Sequence, residues 1–252
     1  MSGCGIELPG LVVPLEQGKE WIWLDVGLKR KRVRLHDYGT IYGIPGLYER
    51  IFCETLKYRS PEVIADMLCN AMNELGEETE NLRVLDFGAG NGMVGEVLSR
   101  QKNCELIIGV DVLLEAKKAA GRDRPGVYDE YYVVDMSELA PDERASLRSY
   151  RLNCLVTVGA LGFGDIPTCA FVEAFNLIKN RGWIAFNIKN RFLDGGDDTG
   201  YAKLLRGMLS NDILYLCSKQ RYPHRLSISG EELHYIAVVG RKKRDIRPDD
   251  LA

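Results

Sequence analysis

An α/β fold, a largely parallel sheet with helices on both faces and an antiparallel end, follows from three features of this 252-residue chain. From about Asn81 onward, short β-rich runs alternate with helical patterns, which implies right-handed crossovers between parallel strands. The first run, Leu82–Phe87, ends in a glycine cluster that feeds straight into a helical pattern. The last two runs, Ile213–Gln220 and Leu233–Arg241, have only a polar loop between them, so they form an antiparallel pair that finishes the sheet.

Before Asn81 the pattern differs. Glu20–Asp25 and Arg32–His36 suggest a small β-hairpin, followed by the aromatic-rich stretch His36–Phe52. Ser60 as N-cap and Pro61 as first residue open a helix. On it Ile64, Met67, Leu68, Ala71, Met72 and Leu75 recur at three- and four-residue spacing, the pattern of a face packed into a core. Past Leu82–Phe87 come a helix at Met93–Arg100, a strand at Leu106–Asp111, a helix at Leu114–Ala120 and a strand at Tyr131–Asp135. Pro141 takes a first-turn position in the helix Pro141–Ser149. Cys154–Val158, Thr168–Lys179 and Trp183–Ile188 continue as strand, helix and strand, and Tyr201–Leu209 is the last helix. The length suits one α/β domain, over residues 60–244, preceded by a hairpin-and-lid extension over 1–59 and followed by a tail over 245–252.

Composition narrows the setting. Apolar residues make up 46% of the chain and are evenly spread, as in a globular core. The longest apolar stretches, such as Leu106–Val110 and Ile236–Val239, are far too short to span a bilayer. The first ten residues have neither a basic start nor a long apolar run, so a cytoplasmic location is expected. Seven scattered cysteines without a Cys-x-x-Cys pair, and three histidines without ligand spacing, predict no metal site. A net charge of −3 speaks against a dominant nucleic-acid surface. The basic runs Lys29–Arg34 and Arg241–Arg244 read as a solvated strand face and a charged chain end.

The chemistry concentrates in Val84–Gly92, where a buried strand ends in Asp86, passes Gly88, Ala89, Gly90 and Asn91, and enters a helix. Glycines let the backbone approach a ligand, and a helix start offers unpaired N–H groups to a carboxylate or a phosphate alike. Gly90–Gly95 also fits the dinucleotide fingerprint, and Asp111, about twenty residues on, suits a ribose diol under either reading. Three features separate the two. Asp86 stands before the turn, where a pyrophosphate gains nothing from negative charge and a sulfonium methionine tolerates it. Asp135 ends the third strand, placed to accept from an adenine amine. The sheet ends in an antiparallel hairpin. The Tyr-x-x-x-Lys at Tyr215 and Lys219 falls in a strand, where the two side chains share no helix face.

Val84–Gly92 resembles the first motif of class I S-adenosylmethionine-dependent methyltransferases, with Asp111, Asp135 and Val158–Leu161 at later motif positions. Lys179–Trp183 is similar to the Leu-Lys-Pro-Gly-Gly turn before their fifth strand but lacks the proline and one glycine. Val158–Pro167 resembles small stand-alone methyltransferases akin to the Williams-Beuren syndrome region protein. The resemblance covers about Ser60 to Lys242. It implies a Rossmann-like seven-stranded sheet in the order 3-2-1-4-5-7-6 with the last strand antiparallel, and S-adenosylmethionine as cofactor with S-adenosylhomocysteine as product. By it, Asp86, Gly88, Ala89, Gly90 and Asn91 line the methionine end and Asp111 with Val112 the ribose side. Asp135 and the Met136 backbone hold adenine, and Gly159 and Ala160 form the rear wall.

The fourth strand ends in Val-Gly-Ala-Leu, unlike the Asn/Asp-Pro-Pro-Tyr/Phe of amino-methylating nucleic-acid enzymes. No paired-glutamate loop is visible, and Asn153 and Thr157 offer no metal-binding carboxylates. A metal-independent enzyme acting on a small molecule is the expectation. A non-catalytic cofactor- or partner-binding protein, or an RNA methyltransferase using Lys29–Arg34, are the alternatives. Tyr38, Tyr42 and Tyr48 are candidates for a movable cover or, equally, for packing of the first helix. Asn187, Lys189, Asn190 and Arg191 follow the fifth strand beside the expected acceptor pocket, and Asp194, His36 and His224 are the possible general bases.

Overall fold

The computed structural model describes residues 5–10, 15–77, 81–100, 104–193, 197 and 199–251. The chain forms two compact units, Met1–Arg59 with Pro223–His234, and Ser60–Tyr222 with Tyr235–Ala252.

The first unit is built on three antiparallel strands, β1 (Gly5–Glu7), β2 (Trp21–Val26) and β3 (Lys29–Arg34), with β2 in the middle. A further strand thus joins the hairpin that the sequence predicts. Ile22, Leu24, Val33 and Leu35 turn inward onto Ile41, Leu47, Ile51 and Leu56, while Lys29 to Arg32 face water. Helix α1 (Tyr38–Tyr42) is followed by a π-helical segment, Glu49–Thr55. Glu20 is fully buried and paired with Arg225, and its other oxygen accepts the Ile228 N–H at 2.8 Å. That pairing satisfies charges whose isolated burial would cost several kcal/mol.

The second unit opens with α2 (Ser60–Glu74) and then alternates: β4 (Leu82–Phe87), α3 (Met93–Ser99), β5 (Cys104–Asp111), α4 (Leu114–Asp123), β6 (Glu130–Val133), α5 (Pro141–Ser149), β7 (Cys154–Leu161), α6 (Thr168–Leu177), β8 (Trp183–Lys189) and α7 (Tyr201–Ser210). The strands β9 (Leu214–Leu226) and β10 (Glu232–Lys242) complete a seven-stranded sheet in the order β6-β5-β4-β7-β8-β10-β9. Counted from β4, this is the predicted 3-2-1-4-5-7-6. Pairings among β4 to β8 are parallel, and β10 runs antiparallel to β8.

The strands are buried on both faces because apolar residues occupy both alternating sets of positions. Leu82, Val84, Val156 and Trp183 pack beneath α2 and α3, whereas Leu85, Phe87, Leu155 and Phe186 pack with α6 and α7. Each such fully buried side chain contributes about 1.5–3 kcal/mol. No helix among the described residues is long and apolar enough to cross a membrane.

Three expectations need correction. Leu75 lies beyond the end of α2 and is half exposed rather than in the core. Ser60 is already helical, and its Oγ accepts the Tyr222 hydroxyl at 2.7 Å. The third strand stops at Val133, so Asp135 sits in the following turn. In the stretch expected as a tail, Ile246 is buried, and its backbone exchanges hydrogen bonds of 2.9 and 3.0 Å with the Asn176 side chain.

Candidate functional site

In a parallel sheet the carboxyl ends of neighbouring strands open onto one edge, where ligands bind. Asp86 and Gly88 leave β4 there, Asp111 ends β5, Asp135 follows β6, and Gly159 and Ala160 belong to the last turn of β7. In the sheet Asp86 lies between Gly109 of β5 and Val156 of β7.

The glycine loop is held from below. The Gly88 and Ala89 N–H groups donate to the Val110 carbonyl at 2.9 and 3.0 Å. Gly90 N–H donates to Asp111 Oδ2 at 3.0 Å and Leu113 N–H to Oδ1 at 2.9 Å, which fixes the plane of that carboxylate. Gly88 has φ +75°, and a Cβ there would stand 2.9 Å from Ala160 Cβ, so only glycine fits between the loop and β7. Asn91 is buried, and its carbonyl accepts from Arg124 at 3.2 Å.

Two tyrosines that sequence reading passed over support this loop. The Tyr131 hydroxyl donates to the Gly90 carbonyl at 2.8 Å, and the Tyr128 hydroxyl donates to Asp86 Oδ2 at 2.7 Å. Their rings meet edge to face at 5.2 Å. A Cβ on Gly95 would come within 2.8 Å of the Tyr128 ring, so the last glycine of the fingerprint makes room for a tyrosine. The available signal was the aromatic pair at the start of β6, Tyr128 just ahead of the strand and Tyr131 within it.

Asp86 is fully buried, and its Oδ1 has no hydrogen-bond partner among the described residues. Burial pushes its pKa up to about 7. The Tyr128 hydroxyl opposes that rise, the nearby Asp111 charge adds to it, and the Gly95 N–H eases it. Burial also raises Asp111, against the pull of the Leu113, Gly90 and Val112 N–H groups. Asp135 is exposed, and the Ser137 hydroxyl and N–H, at 2.6 and 2.8 Å, hold it below the usual carboxylate range. Val112 next to Asp111 leaves 57% of its surface exposed, whereas Met136 is buried.

Asn187 is buried, and its side chain is engaged within the protein. Gly159 N–H donates to its Oδ1 at 2.6 Å, and its Nδ2 donates to the Tyr222 hydroxyl at 2.6 Å, which in turn donates to Ser60. The structure thus makes Asn187 the residue that positions the β7 end. Lys189 is half-buried at the end of β8. Tyr38, Tyr42 and Tyr48 form a series of ring contacts that includes Phe52, within the first unit. His36 and His224 also belong to that unit, beside Tyr38 and Tyr58, and Asp194 lies outside the described residues. No group of three His, Cys, Asp or Glu side chains among the described residues forms a metal-ligating cluster.

No family model matches the sequence. No curated protein matches it either. Solved structures do share its fold. A SAM-dependent methyltransferase from Anabaena variabilis is 16% identical and aligns with a TM-score of 0.53 over 87% of this chain and 99% of that one. A candidate RNA methyltransferase from Pyrococcus horikoshii is 16% identical, with a TM-score of 0.51 over 74% of this chain and 87% of that one. The [4+2]-cyclase SpnF is also 16% identical, with a TM-score of 0.51 over 73% and 81%. The chain therefore has the seven-stranded Rossmann-like fold these proteins share.

Proposed function

We propose that this chain is an S-adenosylmethionine-dependent methyltransferase acting on a small-molecule acceptor without a metal. The observation that carries the reading is the arrangement of Asp86, Gly88–Gly90 and Asp111 at the carboxyl ends of two adjacent strands, in a sheet closed by an antiparallel β10. A buried acid directly before the glycine turn disfavours a pyrophosphate and favours a ligand with positive charge.

The residues present fit that cofactor. Gly88 leaves a cradle that a Cβ would fill, Asp86 keeps an unpartnered oxygen, and Asp111 presents an oriented carboxylate suited to two ribose hydroxyls. Exposed Val112 offers an apolar surface for adenine, with Asp135 and the Met136 backbone beside it. Gly159 and Ala160 form the wall behind the methionine. When bound, S-adenosylmethionine supplies an electrophilic methyl group on a cationic sulfur and leaves as S-adenosylhomocysteine. The chain's own part is to orient the acceptor in line and exclude water, and alignment of this kind is worth up to roughly 7–11 kcal/mol. No triad is needed for it.

SpnF favours one rival, since a cyclase on this fold shows that the fold alone does not fix methyl transfer. Calorimetric titration of S-adenosylmethionine, S-adenosylhomocysteine and NAD into wild type and Asp111→Ala tests the central reading. Micromolar binding of the two sulfur ligands, lost in the variant, supports it. A preference for NAD, or binding of neither sulfur ligand, overturns it. Labelled methyl transfer to an acceptor then separates a transferase from a cyclase or a binding module.

A further inference from the structure

Past Ala160 the chain leaves β7 through Gly162, Phe163 and Gly164, with φ of +94°, +54° and +86°. Positive φ costs the two glycines nothing but strains Phe163, so the surroundings must hold the turn in place. They do so in three ways. Bridges join Leu161 and Gly162 to Ile166, and the Tyr201 hydroxyl donates to the Ile166 carbonyl at 3.0 Å. A Cβ on Gly162 would collide with the ring of Phe192. Strain retained in this way concentrates at ligand clamps.

What the turn presents is the Phe163 ring, set edge-on against buried Phe192 with centroids 4.9 Å apart. Phe163 is half-buried, so it is the ring of the pair that reaches the surface. Lys189 Nζ, at the end of β8, and Arg191 Cζ, just beyond it, each lie 5.6 Å from the Phe163 centroid. Arg191 also stands 4.8 Å over Phe192. Asp165 is the acid in the same turn, and it is exposed. A ring with two cations over it therefore sits at the ends of β7 and β8, next to the Gly159–Ala160 wall.

We propose that Lys189 and Arg191, held over the Phe163 ring, form the acceptor subsite, and that the acceptor is a small molecule carrying a carboxylate or phosphate. Its anion takes charge-assisted hydrogen bonds from Arg191 and Lys189, and the guanidinium fork suits a bidentate contact. The acceptor role rests on the methyltransferase reading, whereas binding of the anion does not.

The test is calorimetry on the full chain with 4-hydroxybenzoate, phenyl phosphate and the neutral 4-hydroxybenzamide, in the presence and absence of S-adenosylhomocysteine. Wild type should bind the two anions about tenfold more tightly than the amide. Arg191→Gln and Lys189→Gln should remove most of that preference without weakening the amide, and Phe163→Leu, which removes the ring beneath both cations, should weaken the two anions and leave the amide unchanged. S-adenosylhomocysteine affinity in each variant reports that the fold is kept. Equal affinity for amide and carboxylate, no binding of any of the three, or a preference untouched by Arg191→Gln overturns the subsite. If the anions bind through Arg191 while S-adenosylhomocysteine does not bind wild type, the methyltransferase reading falls and the subsite stands. If S-adenosylhomocysteine binds and the anions do not, only the subsite falls.

Discussion

Burial raises the pKa of Asp86 to about 7, so at neutral pH its carboxyl group sits near the midpoint of its titration. An acid with a raised folded-state pKa binds more protons folded than unfolded between roughly pH 4 and 7. Its contribution to stability is therefore present below that window and lost as pH rises through it. Asp86→Asn should add stability at pH 8, by roughly 4 kcal/mol at most and seen as a higher melting temperature, and change it little at pH 4. Calorimetric scans across pH check this, and a pH-independent difference would contradict it. A cationic ligand favours the ionised form, so wild-type affinity for S-adenosylmethionine should rise as pH increases through about 7. Tyr128→Phe removes the hydrogen bond that holds the pKa down and should move that profile upward. At Gly88, alanine must take φ +75° and meet Ala160. Gly88→Ala should lose about 1–3 kcal/mol of stability, read by denaturant titration, together with cofactor affinity.

At the scale of elements, the β7 end shows how a strand becomes part of a site. The β7–β8 register shifts between Thr157 and Leu161, and Gly159 adopts φ +72° there. Asn187 of β8 catches the freed Gly159 N–H and passes the link through Tyr222 of β9 to Ser60 at the start of α2. Asn187→Ala leaves the part-buried Gly159 N–H without its acceptor and takes one donor from the Tyr222 hydroxyl, which keeps Ser60. It should destabilise the chain by about 1–3 kcal/mol. Tyr222→Phe, which removes only one hydroxyl, should cost less. Losses that simply add in the Asn187→Ala/Tyr222→Phe double variant, read by urea titration, would show that the chain of bonds does not act as a unit.

For the whole molecule, residues beyond β10 close the domain. Lys242 is buried and donates to the Phe175 and Ile178 carbonyls at 3.0 and 2.5 Å, while Ile246 sits in the core against the Asn176 clasp. Ile246→Ala should destabilise the fold by about 2–4 kcal/mol, measured as a lower denaturation midpoint at constant m-value. A surface tail would show no such loss.

The strand order was implied by the family resemblance; the sequence by itself determined the order of elements in the second unit and the location of the glycine loop. These are local matters: periodicity sets helix or strand, and glycines and prolines punctuate them. It also marked Asp86, Asp111 and Asp135 as strand-end acids, since an acid at the end of an apolar run stands out. Only the tertiary structure decided what those acids do. Asp86 is buried and Asp135 exposed, a difference made by neighbours distant in sequence such as Tyr128, and no window around either residue contains it. The same holds for Asn187, consumed by Gly159 and Tyr222, and for the ring of Phe163 between Lys189 and Arg191. Alternation tells which face a side chain takes. Who meets it there depends on strand order and register, which only long-range packing sets.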